Sequence, residues 1–122
     1  MNIAMQWIQH IRDINNGIEP GSDKDIYFSA TCVLDEYCRN NPDIAWQLIF
    51  EIFEKSENDE LILESLGSGP LEDLLAYHGD AVIGKLIELS KKENNFKNVI
   101  SYVWRNRIKE HIWMELKNVV SS

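Results

Sequence analysis

Basic residues are scarce in the first two-thirds of this chain. Residues 1–80 hold 4 lysines and arginines against 16 acidic residues, a balance of −12. Such a segment repels nucleic acid and attracts basic surfaces. Proline is equally sparse, and Pro20, Pro42 and Pro70 each fall near an expected element boundary, leaving long uninterrupted stretches between them. The two cysteines, Cys32 and Cys38, are six positions apart and do not stack as an i,i+4 pair would. They read as reduced, partly buried thiols rather than a disulfide or a metal pair. Long apolar runs are missing too. No segment approaches the roughly 20 apolar residues needed to span a bilayer, and Met1 to Trp7 lacks the positive start and continuous apolar run of a cleavable signal. A cytoplasmic protein without membrane contact is expected.

Assembled chemistry is also lacking. His10, His78 and His111 never pair at four-residue spacing, and the cysteines add no close cluster. The chain has no nucleophile elbow, kinase set or dinucleotide-binding unit. Gly67-Ser68-Gly69 is followed by neither Lys nor a Ser/Thr partner and preceded by no strand, so it is not a phosphate loop. The acidic stretches lack the alternating oxygen ligands and central glycine of a calcium loop. No cofactor is expected, and a non-catalytic role is favoured over an enzyme.

What the chain has in quantity is helical periodicity. Ile3, Trp7, Ile11 and Ile14 form a stripe over residues 3–15, broadened by Met5 and Ile8. Asn15-Asn16-Gly17 ends it, and residues 18–23, with Pro20-Gly21, form a linker. Ser22 or Asp23 then suits the cap of a second helix over residues 24–39. Asn41 and Pro42 open a third, with Ile44, Leu48 and Ile52 beside Ala45, Ile49 and Phe53, and Trp46 off that face. Leu61, Ile62, Leu63 and Leu66 mark a fourth. Past the centre, Val82 to Ser90 give a sixth. Phe96, Val99, Ile100, Val103 and Trp104 take inward spacing in a seventh, and Ile108 to Val119 form an eighth after a turn at 105–109. The expected fold is all-α: one domain over residues 1–122, a compact array of short antiparallel helices resembling stacked irregular hairpins, with an irregular bundle as the alternative.

Between the fourth and sixth helices lies the stretch around which the rest is organised. Gly69 offers a backbone geometry denied to other residues, and Pro70 suits a helix's first turn. Glu72 and Asp73 fall near its positive end. Leu71, Leu74 and Leu75 share a face edged by His78, Gly79 reads as the stop, and Asp80 as the next cap. Glu72, Asp73, His78 and Asp80 are thus a candidate structural or functional centre. Capping and solvation are their ordinary roles, since neighbouring helix residues do not face each other. The run Gly69-Pro70-Leu71-Glu72-Asp73-Leu74-Leu75, then His78-Gly79, a helix through Ile83 and Ile87, and later Phe96 and Val103-Trp104, resembles the signature of a small bacterial family of uncharacterised helical proteins. The resemblance covers about residues 62–105. It implies a shared fold and a shared use of this helix, not a reaction.

Glu51, Glu54, Glu57, Asp59, Glu60 and Glu64 concentrate negative charge just before that stretch. Solvation explains such a run blandly; docking of a basic protein explains it more sharply. The function expected is a non-catalytic protein-binding module, in its specific form an immunity protein that blocks a basic toxin domain. Glu54, Glu57, Asp59, Glu60 and Glu64 would attract the partner and Trp46 would anchor it. A structural or adaptor subunit, its helical-hairpin surface mediating constant association through apolar and aromatic positions, is the alternative. A hydrolase using His78 and its neighbouring carboxylates ranks third. Residues 81–122 carry a balance of +4, and that polarity also suits contacts within the fold or an oligomer.

Overall fold

Helix formation starts at once. In α1 (Ile3–Asn15) the Asn2 side-chain oxygen accepts the Met5 N–H at 3.0 Å, satisfying one of the first turn's free donors. The computed structural model describes residues 1–122, and all of its regular structure is helical. α1 buries Ala4, Trp7 and Ile8.

α2 (Phe28–Asn40) begins four residues later than its sequence spacing predicts. The reason is Asp25, whose side chain turns inward instead of facing solvent. Its carboxylate accepts the Gly21 N–H at 2.9 Å and meets His10 Nδ1 at 2.8 Å. Two turns, Asp25 N–H to the Ser22 carbonyl and Phe28 N–H to the Asp25 carbonyl, occupy the stretch expected to be helix. Asp25 therefore ties the linker to α1.

A single residue, Asn41, separates α2 from α3 (Pro42–Lys55), so these two helices fold back as a hairpin. Asn41 accepts the Ile44 N–H at 3.3 Å, and Pro42 fills a first-turn position where no N–H is missed. Glu57 and Asn58, both at positive φ (53° and 59°), reverse the chain after α3. Asp59 then caps α4 (Glu60–Leu66) by accepting the Leu61 N–H at 3.0 Å.

The Gly-Ser-Gly-Pro segment does not break the chain. Leu66 and Gly67 keep right-handed helical angles, and residues Gly67–Leu71 form a π turn leading directly into α5 (Glu72–Lys92). The wider turn accommodates the Pro70 ring that an α-helix would expel. Gly69 has nothing within 4 Å of where a Cβ would lie. Gly67 is the constrained position: its Cβ would fall 2.1 Å from the Val99 carbonyl oxygen and 3.0 Å from the Tyr102 Cβ. Its bareness lets α6 (Phe96–Ser101) lie against the π turn.

Gly79 is likewise no terminus. α5 bends at His78 (φ −139°, ψ 35°) and continues, merging the expected fifth and sixth helices. A Cβ on Gly79 would come within 2.9 Å of Ile112, so this glycine admits α7 (Glu110–Ser121). Lys85 to Asp43 (3.2 Å) and Asn95 to Asn58 (3.1 Å) pin α5 beside α3 with both running in the same direction.

One continuous apolar core draws residues from all seven helices. Phe96 is fully buried within it, edge-on to Trp46 at 5.9 Å and to Phe53 at 5.1 Å. Such geometry adds about 1 kcal/mol per pair beyond burial itself. The all-α array expected from periodicity is what forms. No helix is long and apolar enough to cross a membrane.

The two central glycines give opposite predictions. Gly67→Ala forces a methyl onto a backbone oxygen and should lose about 2–3 kcal/mol. Gly69→Ala meets open space and should gain up to about 1 kcal/mol. Urea unfolding of both variants checks this, and a tolerated Gly67→Ala would contradict the packing described.

Candidate functional site

Three of the four polar residues of the central stretch, Glu72, His78 and Asp80, act as tethers pointing in different directions. Glu72 reaches the loop between α6 and α7: one carboxylate oxygen accepts the Trp104 N–H at 2.9 Å, the other the Asn106 side-chain amide at 2.6 Å. His78 Nε2 lies 2.6 Å from the Arg39 carbonyl. A carbonyl only accepts, so this nitrogen carries the hydrogen. Asp80 caps nothing; it accepts from His111 Nε2 at 2.6 Å, with Lys109 at 3.9 Å. His78 and Asp80 share a small cleft of about 230 Å³ with Tyr77 and Lys109, whereas Glu72 and Asp73 lie outside it. The four do not converge on one reacting atom.

Asp73 has a different environment. Burial, then the charges of Asp35 and Glu72, push its carboxyl above the usual range, with Arg107 and Arg39 opposing. Partial desolvation also raises Asp35, against the pull of Arg39. The expectation that Glu72 and Asp73 sit at a positive helix end fails because α4, the π turn and α5 are continuous, so no set of free N–H groups exists there. Burial, with Asp73 and Asp35 nearby, pushes the Cys38 thiol to about 12, and it donates to the Pro70 carbonyl at 3.5 Å. This thiol is held unreactive. Both cysteines are free, but only Cys38 is buried; Cys32 is exposed.

The acidic concentration divides by role. Asp59 caps α4 and pairs with Arg12 at 3.6 Å. Glu60 accepts the Tyr102 hydroxyl, and with Glu64 nearby this contact raises the phenol above its ordinary value. Glu54, Glu57 and Glu64 are exposed. Trp46 is half-buried, its ring packed edge-on to Phe96 while it lines a surface groove.

That groove runs along the α3–α5 seam and encloses about 650 Å³. Trp46, Phe50 and Leu89 give it an apolar floor, and Ala81 and Gly84 leave it wide. Nothing lies within 4 Å of a Cβ built on Gly84, so this glycine serves no helix contact inside the chain. Asp80, Lys85, Glu88 and Lys92 edge it. One turn further along both helices, a second depression holds Glu54, Glu57 and Glu93. The structure thus brings Trp46, Glu54 and Glu57 onto one seam and leaves Asp59, Glu60 and Glu64 elsewhere on α4.

A family described as a family of unknown function (DUF6869) matches residues 16–122. The chain belongs to that family. No curated protein and no solved structure matches it. The DUF6869 match takes in α2 to α7, and with them the groove and the whole central stretch; it extends well beyond the residues 62–105 that carried the resemblance.

In this DUF6869 chain, two aromatic residues at the surface, Phe50 and Trp104, lie outside the expected sites. Phe50 stands four positions after Trp46 on α3, a spacing that marks them as neighbours. Trp104, expected inward, is 72% exposed on a loop whose main chain Glu72 holds. The available signal was charge: residues 94–109 contain Lys97, Arg105, Arg107 and Lys109 and no acidic residue.

Two carboxylates give pH predictions of opposite sign. Asp73 has a raised pKa in the fold, so its ionised form costs stability at pH 7. Asp73→Asn should therefore be more stable than the parent at pH 7 and equal to it below pH 3, where both states are protonated. For Asp25, burial opposes ionisation, but the Gly21 N–H and His10 outweigh it and lower the pKa. Asp25→Asn should lose about 1–3 kcal/mol at pH 7, the deficit narrowing as pH falls through the lowered value. Urea midpoints at pH 7 and pH 3 read both effects.

Proposed function

We propose that this protein is a non-catalytic protein-binding module whose α3–α5 groove receives a basic segment of its partner. The observation that carries the reading is the succession, along one seam, of the groove's apolar floor, Trp46 and Phe50, and a neighbouring depression that holds Glu54, Glu57 and Glu93. Interfaces draw most of their energy from a few desolvated aromatic anchors, and complementary charge supplies steering and specificity. In its specific form the partner is a basic toxin domain and the protein an immunity protein. It would work by occupying the toxin's positive substrate cleft with its own carboxylates, without converting any substrate.

A structural or adaptor role is the second reading, favoured by the separate exposed surface around Trp104. A hydrolase gains less support, because His78 Nε2 is engaged by the Arg39 carbonyl and Glu72 is engaged by the α6–α7 loop.

The test uses toxin domains encoded beside the gene, purified and titrated against the protein. Binding of a basic one should inhibit it and should weaken at least about tenfold, about 1.4 kcal/mol, in a Glu54→Lys/Glu57→Lys variant. Gly84→Leu fills the groove while replacing a helical glycine with a better helix former, so it should abolish binding and keep or raise thermal stability. Binding unaffected by either change would reject the groove, and failure of every neighbouring toxin domain to bind would reject the immunity role.

A further inference from the structure

The loop between α6 and α7 displays the most exposed aromatic ring in the protein, and several interactions hold it in place. Glu72 grips it twice, through the Trp104 main chain and the Asn106 side chain. Asn106 holds a positive φ of 40° between two arginines. Arg105 Nε donates to the Ile108 carbonyl at 3.4 Å. Arg107 lies over the Tyr77 ring, 5.2 Å from its centroid, and Tyr77 is itself exposed. The Trp104 ring is thus presented from an anchored backbone on the same loop that lays Arg107 over Tyr77. Tryptophan, tyrosine and arginine are the residue types that dominate binding energy at protein interfaces. Anchoring before binding lowers the ordering cost of association.

Charge identifies the kind of partner. Glu72, the carboxylate that reaches into the loop, has both oxygens engaged by it. Lys109 is paired with Asp80. Arg105 and Arg107 make no salt bridge, and guanidinium groups suit bidentate recognition of carboxylates. Phosphate would satisfy the same forks, but a nucleic-acid strand carries a charge at every nucleotide and meets the balance of −12 in residues 1–80 along its length, whereas a short peptide brings carboxylates to the loop alone.

We propose that residues 104–109, with Tyr77, form a second docking surface that takes an acidic peptide segment of a partner protein, with Trp104 as the apolar anchor and Arg105 and Arg107 as the carboxylate clamp. This surface adjoins the α3–α5 groove at the Lys109–Asp80 pair, and its free arginines contrast with Glu54, Glu57 and Glu93 beyond the groove's far end. A protein bearing both joins a basic partner to an acidic one.

Selection of displayed random peptides of about a dozen residues on the full-length protein tests the assignment. The enriched pool should be acidic and contain an apolar residue. A representative peptide should lose at least about tenfold in affinity with Trp104→Ala and with Arg107→Glu, and nothing with Gly84→Leu. Thermal melting controls for folding; should Arg107→Glu unfold the protein, Trp104→Ala decides, since that ring stands mostly in solvent. Absence of enrichment, a basic pool, or affinity indifferent to Trp104→Ala would overturn the proposal. So would a single-stranded oligonucleotide that displaces the peptide, which would make the loop a nucleic-acid surface.

Discussion

The second half of this protein depends on a contact that only glycine allows: the bare Cα of Gly67 against the Val99 carbonyl. A side chain there would collide with backbone, which cannot move aside as the end of a flexible side chain can. Because the contact is made, α6 packs onto the π turn, Phe96 enters the core between Trp46 and Phe53, and the chain leaving α6 passes within reach of Glu72. Gly79 repeats the device further along α5 by admitting Ile112 of α7. The continuous unit of α4, π turn and α5 is thus the support on which the C-terminal helices are mounted.

That arrangement gives the central stretch its meaning. Its carboxylates and histidine fasten neighbouring elements: Glu72 the α6–α7 loop, His78 the end of α2, Asp80 the start of α7. Each spends its hydrogen-bonding capacity on position. Two exposed features remain: an apolar groove between α3 and α5, with a depression holding Glu54, Glu57 and Glu93 beyond it, and a loop beyond α6 that carries Trp104, Arg105 and Arg107.

Much of the helical content was legible because apolar residues recur at three and four positions and because Asn41 reads as a cap; Asn2 and Asp59, not read so, also prove to be caps. Local rules failed where tertiary contacts overrode them. Asp25 falls inside the helix expected from residue 24 but is buried against His10, which delays α2. Gly67-Ser68-Gly69-Pro70 reads as a break, yet the partner of Gly67 is some thirty residues away, so sequence spacing could not reveal why the segment stays helical. Trp104 follows Val103 at core spacing, but α6 ends at Ser101 and the periodicity no longer applies beyond it. The acidic run looked like one surface because neighbouring carboxylates repel; capping and hydrogen bonding by Asp59 and Glu60 divided it.

Through Glu72, the continuous unit of α4, the π turn and α5 holds the α6–α7 loop in one shape. Hydrogen exchange at the Trp104 amide, followed by NMR in the parent and in Glu72→Ala, tests it most directly. The account predicts an amide slowed at least about tenfold below its free-peptide rate in the parent, with that protection lost in the variant while the Leu86 amide in the core of α5 keeps its own. A Trp104 amide that already exchanges at the free-peptide rate in the parent would contradict it.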